Sequence, residues 1–236
     1  MVGELKVLLR MRLDFIRRFY DKGAEPFGST ILRIENHDPP FDVWDGDPEC
    51  AEEPFGDEWM DAYDSIATLG ACCLCLAHDT LKQFLEDFIR ASGQTPPAGK
   101  GPWTERYKDF FKSEYNVDWG AGPVDLKGLE ELALARNELQ HGGTLAANYV
   151  LQGRDHERRV ASRFVERTPP GDSVSVKKQN LIAAIEFVDG LCEYLISNCN
   201  AEIGCSGIGK RKTGQPRKNG QPDENRSENL KTGQSD

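Results

Sequence analysis

Apolar residues recur at helical spacing over most of this chain. Between positions 4 and 20, Leu5, Leu8, Leu9, Met11, Leu13, Ile16 and Phe19 predict a helix with a broad apolar face. Residues 21–57 break that rhythm. They are rich in Pro, Gly, Asp and Glu, with Asp38-Pro39-Pro40 and Asp45-Gly46-Asp47-Pro48 as turn signals, and predict a long acidic loop. Its aromatic residues Phe41, Trp44 and Phe55 predict that the loop folds back on the body. The longest helical pattern spans 58–92. It is apolar nearly all round from Ile66 to Ala77, which predicts a central, buried helix ended by Ser92-Gly93 and Pro96-Pro97. A short helix is predicted over Thr104–Glu114, with Thr104 as its N-cap.

The next helix begins near Val124 or Asp125. Its stripe runs Leu129, Leu132, Arg136, Leu139, so an arginine stands on a face that otherwise reads as core. Asn137 and His141, four apart, share the edge of the stripe, and Gly142-Gly143 supply a left-handed stop. Val160–Val165 and Val174–Val176, joined through Thr168-Pro169-Pro170-Gly171-Asp172, predict a short hairpin. In the last helix Leu181, Ile185, Val188, Cys192, Leu195 and Cys199 form a narrow packing seam. The segment from Ser206 has almost no apolar residue and is expected to stay disordered. The chain therefore reads as an all-α, or mainly α, up-and-down bundle with one small β-hairpin. It forms one domain over 1–205, with a core at about 58–199, and a polar tail over 206–236.

Charge narrows the functional classes. The formal net charge is −10; residues 206–236 hold seven Lys/Arg against four Asp/Glu, which leaves −13 on residues 1–205. A body this acidic does not coat nucleic acid broadly, but a local basic cleft is compatible with it. The sequence has no apolar run near twenty residues and no secretory leader pattern, so no membrane attachment and a cytoplasmic location are expected. Seven cysteines, with Cys72, Cys73 and Cys75 bunched in an apolar stretch, predict reduced, buried thiols. They lack the paired spacing of a zinc site, and His37-Asp38 has no third ligand in register.

Arg136-Asn137-Glu138-Leu139-Gln140-His141 carries the chemistry. A permanent cation, an amide and an imidazole within a turn and a half suit metal-free cleavage of RNA by the neighbouring 2′-hydroxyl. His141 moves protons near neutrality, Arg136 clamps non-bridging oxygens, and Asn137 orients phosphate or imidazole. One copy supplies one imidazole, so two copies across a two-fold axis complete the set of proton transfers. No cofactor or metal is called for. The bland alternatives are an ion pair for Arg136 and a helix C-terminal cation for His141. Asp79 or Glu86 could orient the motif, and the residues do not choose between them. His78 reads as a structural histidine, and His156 as a solvated one. Arg154, Arg158, Arg159 and Arg163, in a basic run extending to Arg167, are candidate phosphate contacts, against the alternative of a solvated charged segment. Lys6, Arg10 and Arg17 share a face expected to be solvated.

Arg136-Asn137 followed by His141, late in a mainly helical chain, resembles the signature of the HEPN superfamily (higher-eukaryote and prokaryote nucleotide-binding domains). The resemblance covers roughly 58–199. It implies a four- to five-helix bundle, a homodimer with a composite site, and metal-independent endoribonuclease activity on an RNA substrate. It also implies a toxin–antitoxin or defence setting with an unidentified antitoxin or regulatory partner. One toxin subgroup carries a Tyr two residues past the His, where a partner nucleotidyltransferase modifies it; here that position is Gly143. The alternative is a non-catalytic helical module that binds RNA, a nucleotide or a protein partner.

Overall fold

A computed structural model describes residues 2–42, 54–121, 126–141, 163–168 and 173–205. The elements run α1 (Val2–Glu35), α2 (Gly56–Ala91), α3 (Trp103–Tyr115), a 3₁₀ turn (Trp119–Ala121), α4 (Leu126–His141), β1 (Glu166–Thr168), β2 (Ser173–Ser175) and α5 (Lys178–Cys205). The fold is mainly α, a helical bundle. The tail from Ser206 and the glycines at 142–143 lie outside the described residues.

α1 and α2 form a long antiparallel pair. Glu35 accepts a hydrogen bond from Trp59 Nε1 at 3.3 Å at one end, while Leu5, Leu9 and Phe15 border Thr80, Phe84 and Asp87 at the other. α1 is twice as long as expected, because residues 21–35 continue the helix instead of opening a loop. Pro26 removes a helical donor and crowds the preceding turn, at a cost of about 3 kcal/mol. Packing overrides that cost: Ala24 and Ile34 pack inward, and at Gly23 a Cβ would lie 2.8 Å from Leu69 Cδ2. The helix ends at His37, which takes a left-handed φ of 54° while Asp38 N–H closes on Arg33 O at 2.8 Å. The core therefore starts well before residue 58: Leu9, Leu13, Ile16 and Tyr20 are all buried in it.

α2 is central, packed by α1, α4, α5 and β2. Leu74, Ala77, Leu81, Leu85 and Ile89 are fully buried, but Cys72 is exposed and Leu76 is 37% exposed, so the helix is not covered all round. By length and composition α2 also reaches membrane-span values, with a mean hydropathy of 1.2, although the sequence reading expected no such helix. It ends as expected at Ser92-Gly93, where Gly93 adopts a φ of 80°.

The first turn of α3 corrects one expectation. The capping position is Pro102, and Thr104 is buried inside the helix. Phe88, Phe111, Tyr115 and Trp119 lock α3 onto α2 as an aromatic cluster with centroid spacings of 5.5 to 6.1 Å. The hairpin forms, with Glu166 opposite Ser175 and Thr168 opposite Ser173, so its first strand lies past the Val160–Val165 stretch. Phe164 and Val165 instead anchor its entry in the core. Asn180 joins this entry to α5: its Nδ2 donates to Arg163 O and its Oδ1 accepts from Lys177 N–H, both at 3.0 Å. Along α5 the expected seam is buried, with Ile185 at its margin. Lys6 and Arg10 are not merely solvated; they pair with Glu193 at 2.7 and 2.8 Å and tie α1 to α5.

At Gly70 the backbone of α2 meets the Val176 carbonyl directly beneath β2, and a methyl would collide with it. Gly70→Ala should therefore destabilise the fold by about 1–3 kcal/mol despite alanine's better helix propensity. Thermal unfolding should record a melting temperature lower by about 2–12 °C. An unchanged or raised value would show that the two backbones separate freely.

Candidate functional site

The expected stripe on α4 is displaced by one residue at Arg136. Leu129, Leu132 and Ala135 are buried, Leu139 is partly buried, and Arg136 stands at the margin with its side chain 26% exposed. A guanidinium at that margin keeps its stem among apolar neighbours and its head at the surface.

The head faces α2. Arg136 Nε lies 4.0 Å from Asp79 Oδ1, and Nη1 donates to Asn137 Oδ1 at 3.2 Å. At 4.0 Å the carboxylate attracts the cation without accepting a hydrogen bond from it. Nε is buried and has no hydrogen-bond partner. Asp79, half exposed, is already engaged: His78 Nδ1 donates to the same Oδ1 at 2.9 Å. The ring of His78 is buried edge-on against Trp103, with centroids 5.4 Å apart. Burial lowers the His78 pKa, Arg136 and Lys82 push it the same way, and the Asp79 bond opposes them. His78 is therefore a neutral, structural donor that fixes the carboxylate.

The choice between the two candidate acids falls to Asp79. Glu86 accepts from Arg90 at 2.9 Å. It also faces Tyr107, whose hydroxyl is pushed up to about 12, first by burial and then by the Glu86 charge. Cys75, one turn before Asp79, is half-buried; burial raises its thiol pKa, while Arg136 lowers it. Sequence spacing could not single out Asp79, because the choice depends on the register of α2 against α4.

Of the remaining predicted residues, Asn137 is exposed beside Arg136 and His141 is the last residue of α4. The His141 side chain lies outside the described residues, as do Arg154, His156, Arg158 and Arg159. Arg163 is placed: Nε donates to Glu131 Oε2 on α4 at 3.1 Å, and the guanidinium lies 5.5 Å from the Phe164 centroid. Among the described residues no three metal-ligating side chains gather at one point.

No protein-family model, no curated protein and no solved structure matches this chain.

A histidine buried neutral makes stability depend on pH. The unfolded chain binds a proton at the ordinary histidine value of 6.5, whereas the folded chain binds it only at lower pH. The contribution is complete above about 6.5 and is lost as pH falls towards the lowered folded value. Denaturant titrations from pH 7.5 to 5.5 should show falling stability, with a shallower slope in His78→Asn. Equal slopes would remove His78 as the source.

Proposed function

We propose that this chain is a HEPN-type, metal-independent endoribonuclease that cleaves RNA by 2′-hydroxyl attack at a site shared by two protomers. One observation carries the reading: the Arg136 guanidinium is steered by a carboxylate but not closed by one. A structural ion pair on a helix margin would place two N–H groups on two oxygens. Here Asp79 is turned to His78, and the Nε–H of Arg136 is left without an acceptor. With no carboxylate closing the guanidinium, the exposed part of the Arg136 side chain is open to phosphate oxygens.

In the proposed reaction Arg136 binds the non-bridging oxygens and neutralises the charge that builds on the phosphorane. His141 of one protomer removes the 2′-hydroxyl proton, and its copy protonates the departing 5′-oxygen, leaving a 2′,3′-cyclic phosphate. Asn137 orients the phosphate, and Asp79 positions Arg136. Restricting the cation to one cleft of an acidic body suits a nuclease with a narrow set of RNA substrates. The basic run at Arg154, Arg158, Arg159 and Arg163 is proposed to extend the phosphate track, and a cytoplasmic setting with a restraining partner is proposed with it.

The same Asp79–Arg136 approach favours one other reading, a packing contact between α2 and α4 in a non-catalytic module that binds RNA, a nucleotide or a protein partner. Cleavage of RNA in the presence of chelator separates the two. The intact chain should leave 2′,3′-cyclic phosphate ends, and His141→Ala should lose about 10²–10⁴-fold in rate with its helical content kept. Arg136→Lys should not restore what Arg136→Ala loses, because an ammonium cannot clamp two oxygens. Undiminished cleavage by His141→Ala would refute the mechanism. RNA binding without cleavage by the intact chain would establish the second reading.

A further inference from the structure

α1 buries one face and leaves its opposite face apolar. Val7, Leu8, Met11, Phe15 and Phe19 are each 45–61% exposed, and Phe15 and Phe19 stack at 5.9 Å. Leu8, Met11 and Phe15 also border a groove of about 410 Å³ between α1 and α2, whose far wall holds Thr80, Gln83 and Asp87. Single exposed apolar residues are ordinary; five along one helix face beside an apolar groove mark an interaction surface.

The charges at the ends of this stripe select its occupant. Glu4 stands at the start of the face and Lys22 at its end, 18 residues apart, about 27 Å along the helix and on the same line. We infer that this face docks the same face of a second copy of the chain, with the two α1 helices antiparallel about a two-fold axis. That alignment sets Glu4 against the partner copy's lysine 22, Val7 against its phenylalanine 19, and Met11 against its phenylalanine 15. All three pairings use one register. A parallel pair would oppose like charges at both ends, so antiparallel docking is the arrangement that Glu4, Lys22 and the Val7, Met11, Phe15 and Phe19 positions satisfy together.

The docked face adjoins the candidate site. Thr80 and Gln83 line the groove, and Asp79, which steers Arg136, stands one turn before Gln83 on the exposed margin of α2. A second copy seated on the groove therefore covers Gln83, one helical turn from the carboxylate that faces Arg136. The interface is argued from α1 alone. Its bearing on a shared active site rests on the nuclease reading above.

Sedimentation of the full chain should give a dimer mass, and Leu8→Glu/Phe15→Glu should give a monomer with an unchanged helical circular-dichroism signal. Glu4→Lys and Lys22→Glu should each weaken the dimer by about 2- to 30-fold, since two symmetry-related exposed pairs are lost together. Combining them should restore the intact affinity. A monomeric intact chain would overturn the interface, as would a double-glutamate variant that stays dimeric. So would an intact chain that remains monomeric and binds anionic vesicles through this face. A dimer that cleaves no RNA keeps the interface and refutes the nuclease. A monomer that cleaves RNA through His141 refutes the interface and the shared site together.

Discussion

The apolar length of α2 has to be covered, and every other element is placed by how it covers it. α1 runs antiparallel along one flank, α4 and α3 close another, and α5 with the hairpin exit closes a third. A fully buried leucine contributes about 1.5–3 kcal/mol over an exposed one, and Leu74, Leu81 and Leu85 all reach that state. The uncovered margin carries Cys72, Leu76, Asp79 and Gln83, so the surface left to function is what remains when packing has taken the rest of the helix.

The candidate chemistry follows from that division. His78 and Asp79 are neighbours in sequence but fall on opposite sides of the boundary, one buried and one half exposed. The buried imidazole donates to the carboxylate and turns it, and the carboxylate faces an arginine from another helix. Arg136 is thereby oriented by a chain of contacts that begins in the core. An exposed ion pair of this kind adds about 1 kcal/mol or less to stability. Its value to the molecule is the direction it gives a cation.

Helices with an uninterrupted 3.6-residue rhythm could be read from the sequence: α2, the seam of α5, and α4, although the spacing set Arg136 within the apolar stripe and Ala135 takes that buried place. The second half of α1 could not. Gly23, Pro26 and Gly28 are local punctuation, and they were overruled by contacts with Leu69 and the core some forty residues away. Thr104 had the chemistry of a cap, yet Trp103, ahead of it, is already helical and packs on His78 and Tyr107. At the site, the motif and its helix were legible because their spacing is local. Asp79 and the Arg163–Glu131 pair were not, because each depends on how two distant segments are set against one another.

Leu69 and Gly70 belong to one turn of α2. Leu69 fills the space left by the missing side chain of Gly23 on α1, and Gly70 admits the Val176 carbonyl that leads into α5. The turn is thus gripped from two sides and acts as a fulcrum for the long helix. Enlarging Gly23 presses on the Leu69 side chain and enlarging Gly70 presses on the Val176 backbone, so both loads fall on consecutive residues of one turn. Mechanical strain entering through α1 has, at this point, a direct route to the hairpin and to the helix that follows it.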